Sequence, residues 1–112
     1  MIMAHKASHR FARIAPRKAR LVADLIRGMR IDDAMTELDF SKKRAAWYLK
    51  GVLKSAIANA EEKAADVESL VISESRVDEG PTIKRFQPKD RGRAHPIRKR
   101  TCHLHIELEE KN

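Results

Sequence analysis

The groups in this sequence able to move a proton near neutral pH are five histidines, His5, His9, His95, His103 and His105, with one cysteine, Cys102, beside two of them. Histidine together with lysine can cleave RNA by acid–base chemistry, so a small ribonuclease is the enzymatic reading. The spacing argues against it. His103 and His105 are two apart, which in an extended segment puts both on one side and Cys102 on the other. His95 belongs to a different segment, and no residue pattern implies a pocket around any of them. A metal centre wants three or four convergent ligands, and only two converge here. No cofactor is called for, and the expectation is that the protein is not an enzyme.

The second kind of chemistry is cation against anion, and here the sequence is rich. The N-terminal segment carries Lys6, Arg10, Arg13, Arg17, Lys18 and Arg20 with no acid before Asp24. From Pro81 to Thr101 stand Lys84, Arg85, Lys89, Arg91, Arg93, Arg98, Lys99 and Arg100 against a single acid, Asp90. With so little counter-charge nearby, these residues are the candidate nucleic-acid contacts. Each phosphate neutralised releases a bound counterion. Arginine forks onto two phosphate oxygens or stacks on a base, so Arg91, Arg93 and Arg98 rank above the lysines. The plain alternative is a solvated charged surface, and some of the long stems cover apolar neighbours. Between the basic blocks, Glu61 to Glu79 is mainly acidic and is expected to face solvent, with Asp78 and Glu79 orienting nearby arginines.

Composition narrows the partner. In 112 residues there are 24 Lys and Arg against 16 Asp and Glu, a net charge of +8. A chain that basic has an anionic partner. No apolar run approaches the roughly 18 residues of a membrane span, and the N-terminus has no secretory pattern. Membrane is therefore excluded as the favoured partner. The lone cysteine cannot form an internal disulfide, which suits a reducing cytoplasm. Aromatic residues make up only 4%, too few for a stacking platform that reads single-stranded bases. Phosphate contact is the expected mode.

Positioning such charges requires elements, and the periodicities predict an α+β fold of about three helices, an antiparallel sheet and a long projecting β-hairpin arm. Pro16 and Gly28 bracket a first helix, with Val22, Leu25, Ile26 and Met29 expected on its apolar side. Ile31, Ala34, Met35 and Leu38 mark a short second helix, with Asp32 and Asp33 at its positive end. The third should start at Ser41 as N-cap and run to about Lys63. Its apolar face is Ala45, Leu49, Val52, Leu53, Ala56, Ile57, Ala60 and Ala64. Lys43, Trp47, Lys50 and Lys54 form the opposite stripe, with Trp47 expected to pack on another element of the chain. Gly51, costly in mid-helix, suggests close packing there.

After Asp66 the period changes to two. Leu70, Ile72, Val77 and Ile83 read as strand. Cys102, Leu104, Ile106 and Leu108 alternate with His103, His105, Glu107 and Glu109 as a half-buried strand. The intervening Pro81, Pro88, Gly92 and Pro96 bound a turn between Lys89 and Arg93. Two strands of about 17 residues each would reach about 55 Å, far beyond a compact body of radius of gyration about 13 Å. The distal half must then project. The chain is one domain over residues 1–112, with a body at about 1–80 and 100–112 and an arm at about 81–99. The arm's only sizeable apolar residues are Ile83, Phe86 and Ile97. An isolated hairpin is marginal in water, so a polyanion that encloses it, such as a large folded RNA, suits it best.

Several blocks match a known family. Lys18-Ala19-Arg20-Leu21-Val22-Ala23-Asp24-Leu25-Ile26-Arg27-Gly28 resembles the first helix of bacterial large-subunit ribosomal protein L-twenty-two. Ser55-Ala56-Ile57-Ala58-Asn59-Ala60-Glu61 resembles part of the family's long helix. Val77-Asp78-Glu79-Gly80-Pro81, Lys84-Arg85, Gly92-Arg93-Ala94 and Lys99-Arg100-Thr101 follow in the family's order and spacing. The resemblance implies a helical and β body near the mouth of the peptide exit tunnel and a hairpin lining the tunnel wall. It implies large-subunit ribosomal RNA, neighbouring large-subunit proteins and the nascent peptide as partners, a role bridging RNA domains in assembly, no catalysis, and a cytoplasmic location. Two departures are Pro88-Lys89-Asp90-Arg91, where many members read Pro-Arg-Ala, and Cys102 where Ser is usual. A rival class, a DNA-binding architectural protein with a β-arm, normally dimerises. The exposed half of this hairpin has no apolar seam for that, so a free monomer is expected.

Overall fold

A computed structural model describes residues 4–63, 65–89 and 93–110. Along the chain run β1 (Ala4–Ala12), α1 (Pro16–Ile26), α2 (Ile31–Phe40), α3 (Arg44–Glu62), a short 3-10 turn (Val67–Ser69), β2 (Leu70–Glu79), β3 (Ile83–Lys89), β4 (Arg93–Lys99) and β5 (Cys102–Glu110). The α+β expectation holds. Strands β1, β5 and β2 form an antiparallel sheet in that order, and β3 and β4 form a separate two-stranded sheet.

The core lies between one face of the larger sheet and the helices. Leu104, Ile106, Leu108 and Cys102 of β5 point inward, each at most 1% exposed. The residues between them are half-buried on the outer face, so the strict alternation in the sequence translates directly into two faces. Helix α3 lies across β1 and β5, α1 across β2, and α2 against α3. Leu49, Val52, Leu53, Ala56 and Ala60 form the buried side of α3, joined by Ala45 and Ala46.

Helix α1 faces inward with Ala19, Val22, Ala23 and Ile26, spaced by three and four as a single helical face requires. Leu25 therefore lies off the core side and is exposed, as is Leu21. This corrects the expected stripe. Past the helix, Gly28 takes φ +84°, where a side chain is strained. Its N–H donates to Ile72 O, and Ile72 N–H donates to Met29 O, stitching the turn to β2. Helix α3 begins at Arg44, three residues after the expected cap. Ser41 instead closes α2, and its Oγ accepts from Lys43 N–H.

Strand β1 was not visible in the periodicity. Its residues, Ala4 to Ala12, hold few β-branched or aromatic side chains, so it lacks local preference. It forms as an edge strand templated by β5, with His5 opposite Leu108 and His9 opposite Leu104. The register slips between His9 and Ala12, and Phe11 within the slip takes φ +58°.

The long hairpin legs are interrupted. Pairing of β2 with β5 ends at Glu79 opposite Cys102, and pairing of β3 with β4 begins at Ile83 opposite Lys99. Pro81 offers no N–H to a ladder. At this seam Gly80 N–H donates to Thr101 O, and the buried Thr101 hydroxyl donates to Pro81 O at 2.6 Å. The radius of gyration is 17.1 Å and the extents are 64 × 26 × 18 Å, against about 13 Å for a compact chain of this length.

Candidate nucleic-acid interface

The turn that follows β1 organises the N-terminal cations. Ile14 is buried and its N–H donates to Ala12 O, which leaves Arg13 exposed beside it. Pro16 then starts α1 with no side-chain cap and no acid in the first turn, so its positive dipole end is uncompensated and favours an anion. Pro16 itself has no N–H, and those of Lys18 and Ala19 already bond Ala15 O. A cleft of about 460 Å³ opens there, lined by Arg13, Ile14, Ala15, Lys18, Arg44 and Arg100. Four cations and no carboxylate line it. Three of them are sequence candidates; Arg44 is not. Its signal was its place as the first residue of α3, a helix that likewise begins without a side-chain cap or an acid.

The remaining N-terminal candidates sit elsewhere. Arg17 is exposed on α1. Arg20 donates Nε and Nη2 to Val77 O at 3.3 and 3.1 Å, and Arg27 donates to Ser75 O. Together these two hold α1 onto β2. Lys6 and Arg10 lie on the outer face of the sheet, in a shallow cleft shared with Glu74, Arg76, His105 and Glu107. Carboxylates dilute that face. Arg76 pairs with Glu74 at 2.8 Å and with Asp78, and Asp78 also meets His105 Nε2 at 3.2 Å. Burial, then Arg76, pushes His105 down toward its neutral form. Burial and a proton shared with Glu74 push Glu107 up. The other acids of the run, Glu61, Glu62, Asp66, Glu68 and Glu79, are exposed.

His103 and His105 share a face and Cys102 faces the core, as their spacing predicts. His103 Nδ1 accepts the Phe11 N–H at 3.0 Å, and burial raises the Cys102 thiol pKa. Among the described residues no group of three or more potential ligands could hold a metal, and no helix is long and apolar enough to cross a membrane.

In the arm the backbone register is informative. Lys84 stands opposite Arg98, and Lys89 opposite Arg93; like charges at such positions destabilise a two-stranded ladder. The side chains of residues 83–99, which include Lys84, Arg85, Lys89, Arg93, Arg98 and Lys99, lie outside the described residues, and so does Arg91 altogether. Arg100 is exposed beyond β4.

Helix α3 corrects two expectations. Trp47 is 72% exposed, touching Tyr48 edge-on at 5.1 Å, rather than packed on another element. Gly51 is exposed, and a Cβ built there meets nothing within 4 Å, so close packing does not explain it. The close approach is at Gly80, where a Cβ would sit 2.6 Å from Thr101 Oγ1.

Residues 7–109 match the family described as Ribosomal protein L22p/L17e. The large ribosomal subunit protein uL22 of Magnetococcus marinus is 51% identical to this chain over 102 residues, 90% of each.

Proposed function

The chain belongs to the ribosomal protein L22p/L17e family, and from that premise we propose that it binds large-subunit ribosomal RNA, bridges RNA segments during assembly and lines the peptide exit tunnel with its β3–β4 hairpin. Membership of this ribosomal protein family supports a structural constituent of the ribosome, and we read the chain as acting by binding rather than by catalysis. Its partners are then ribosomal RNA, neighbouring large-subunit proteins and the passing nascent peptide. Residues 1–112 act as one domain, a body carrying an arm at about 81–99, and the free protein is a monomer.

The observation that carries RNA binding is the cleft of Arg13, Lys18, Arg44 and Arg100 at the start of α1. Concentrated positive charge beside a helix N-terminus suits phosphate oxygens. It opens next to the seam from which the arm leaves, so an RNA strand held there can continue along Lys84, Arg85, Lys89, Arg91, Arg93, Arg98 and Lys99. Opposed cations that weaken the free arm are screened once phosphates surround it. Arg17, exposed on α1, extends this basic surface. Lys6 and Arg10 lie on the sheet face that carboxylates dilute, and Arg20 is bonded to β2.

Binding of a large-subunit RNA fragment, measured against salt, tests this. The affinity should fall steeply between low and physiological salt, and Arg44→Ala or Arg100→Ala should each reduce the logarithmic slope by about one. A salt-insensitive constant, or unchanged slopes in both variants, overturns phosphate recognition by the cleft.

A further inference from the structure

We propose that the groove between β1 and the first half of α3, lined by His9, Trp47, Tyr48, Gly51 and Lys54, receives an unpaired base of the bound RNA, stacked on the Trp47 indole. The inference rests on the RNA-binding reading above and adds a base-recognition site to it. Although aromatic residues are few, the fold gathers several here. The Tyr48 ring meets His9 at 5.3 Å and Trp47 at 5.1 Å, both edge-to-face, and the Arg44 guanidinium lies 5.7 Å from its centroid. Arg44 also donates to the Tyr48 hydroxyl. Tyr48 is thus held on several sides, while the indole that leans on it is left open to solvent.

Gly51 supplies the independent observation. Trp47, Lys50, Gly51 and Lys54 are spaced as one helical stripe. A glycine in mid-helix is unfavourable, and no neighbour here requires it. A side chain at position 51 would lean toward the helix N-terminus, over the turn that carries Trp47. Glycine therefore leaves the space beside the indole empty. The groove encloses about 280 Å³.

Charge selects the occupant. Lys54 lines the groove and makes no ion pair among the described residues, and Lys50 beside it is tied to Asp39. A base stacks on the indole, a flanking phosphate meets Lys54, and stacking tolerates any base. A protein segment would have to be acidic to match this rim.

Trp47 is the only tryptophan, so its emission reports on this groove alone. An unstructured hexaribonucleotide should quench it, whereas an abasic hexamer of equal charge should not. Gly51→Leu fills the groove without changing charge or the indole, and Trp47→Ala removes the platform. Each should weaken hexamer binding, read by anisotropy of a labelled strand, by about 5- to 150-fold, the equivalent of one lost stack. Gly51→Leu should also raise the melting temperature of the free protein. Equal quenching by the abasic strand, or undiminished binding by Gly51→Leu, overturns the proposal. In particles assembled with large-subunit RNA alone, Trp47 should be shielded from acrylamide. Shielding that appears only after other large-subunit proteins are added would assign the groove to a protein and likewise overturn it. If the RNA fragment still binds with its salt slope and its Arg44 and Arg100 dependence, only this inference has failed; if that dependence is also missing, the RNA-binding reading fails with it.

Discussion

Glu74 and Glu107 stand directly opposite each other across β2 and β5, where two like charges repel. Burial first, then the proton shared with Glu74, raises the Glu107 pKa above its ordinary 4.5. A carboxyl whose folded pKa is raised binds its proton more readily in the native state. Its contribution therefore favours folding at low pH and is lost as pH rises through the folded pKa. Glu74→Gln removes the repulsion, so at neutral pH the variant should gain stability relative to the parent, less the small contribution of the exposed pair with Arg76. That gain should shrink as pH falls through the raised pKa toward 4.5. Glu74 also acts on His105, raising its pKa as the smallest of the causes there, so the opposite titration of His105 cancels only in part between the two proteins. Melting curves that differ by the same amount at every pH would show that the two carboxyls do not interact. The pairing itself was not legible: it depends on a one-residue slip in β2 between Ile72 and Glu74, which no local pattern announces.

Among the elements, α3 and the arm seam make opposite demands. Leu53 is fully buried on the inner side of α3, and Leu53→Ala should cost about 2–5 kcal/mol, visible as an early thermal or urea transition. An unchanged melt would mean that α3 packs by another face. Gly80 is confined by contact and not by dihedral: a Cβ there would be 2.6 Å from Thr101 Oγ1 and 3.3 Å from the Thr101 carbonyl carbon. The Thr101 side chain is buried and bonded to Pro81, so it cannot swing away freely. Gly80→Ala should destabilise by about 1–3 kcal/mol, as overpacking does. Adding Thr101→Ala should recover part of that loss, because the closest clash goes with the hydroxyl. No recovery in the double variant would place the strain in the backbone. The three helices and β5 were legible because each carries its own period. Strand β1 was not, since Ala, Ser, His and Lys form a strand only where β5 offers an edge.

On the scale of the whole molecule, β3 and β4 pair with each other and not with the larger sheet. Removing Thr82 to Lys99 and closing the gap with a short turn should leave a folded monomer that melts near the parent temperature. It should keep weaker RNA binding through Arg13, Lys18, Arg44 and Arg100. Loss of cooperative unfolding in the truncated protein would show that the hairpin belongs to the core. Charge segregation, helical and strand periods, and the family blocks are properties of nearby residues, so the sequence by itself determined the α+β class, the buried stripes of α3 and β5, the basic segments and the family. Contacts between residues far apart are another matter. That Arg44 joins Arg13, Lys18 and Arg100 around one cleft, that Arg20 holds β2 rather than facing freely outward, and that His9 of β1 closes on Tyr48 beside an open Trp47 were decided only by the tertiary structure. Each depends on how helices are rotated and strands registered against one another, and packing of the shared core sets those rotations and registers.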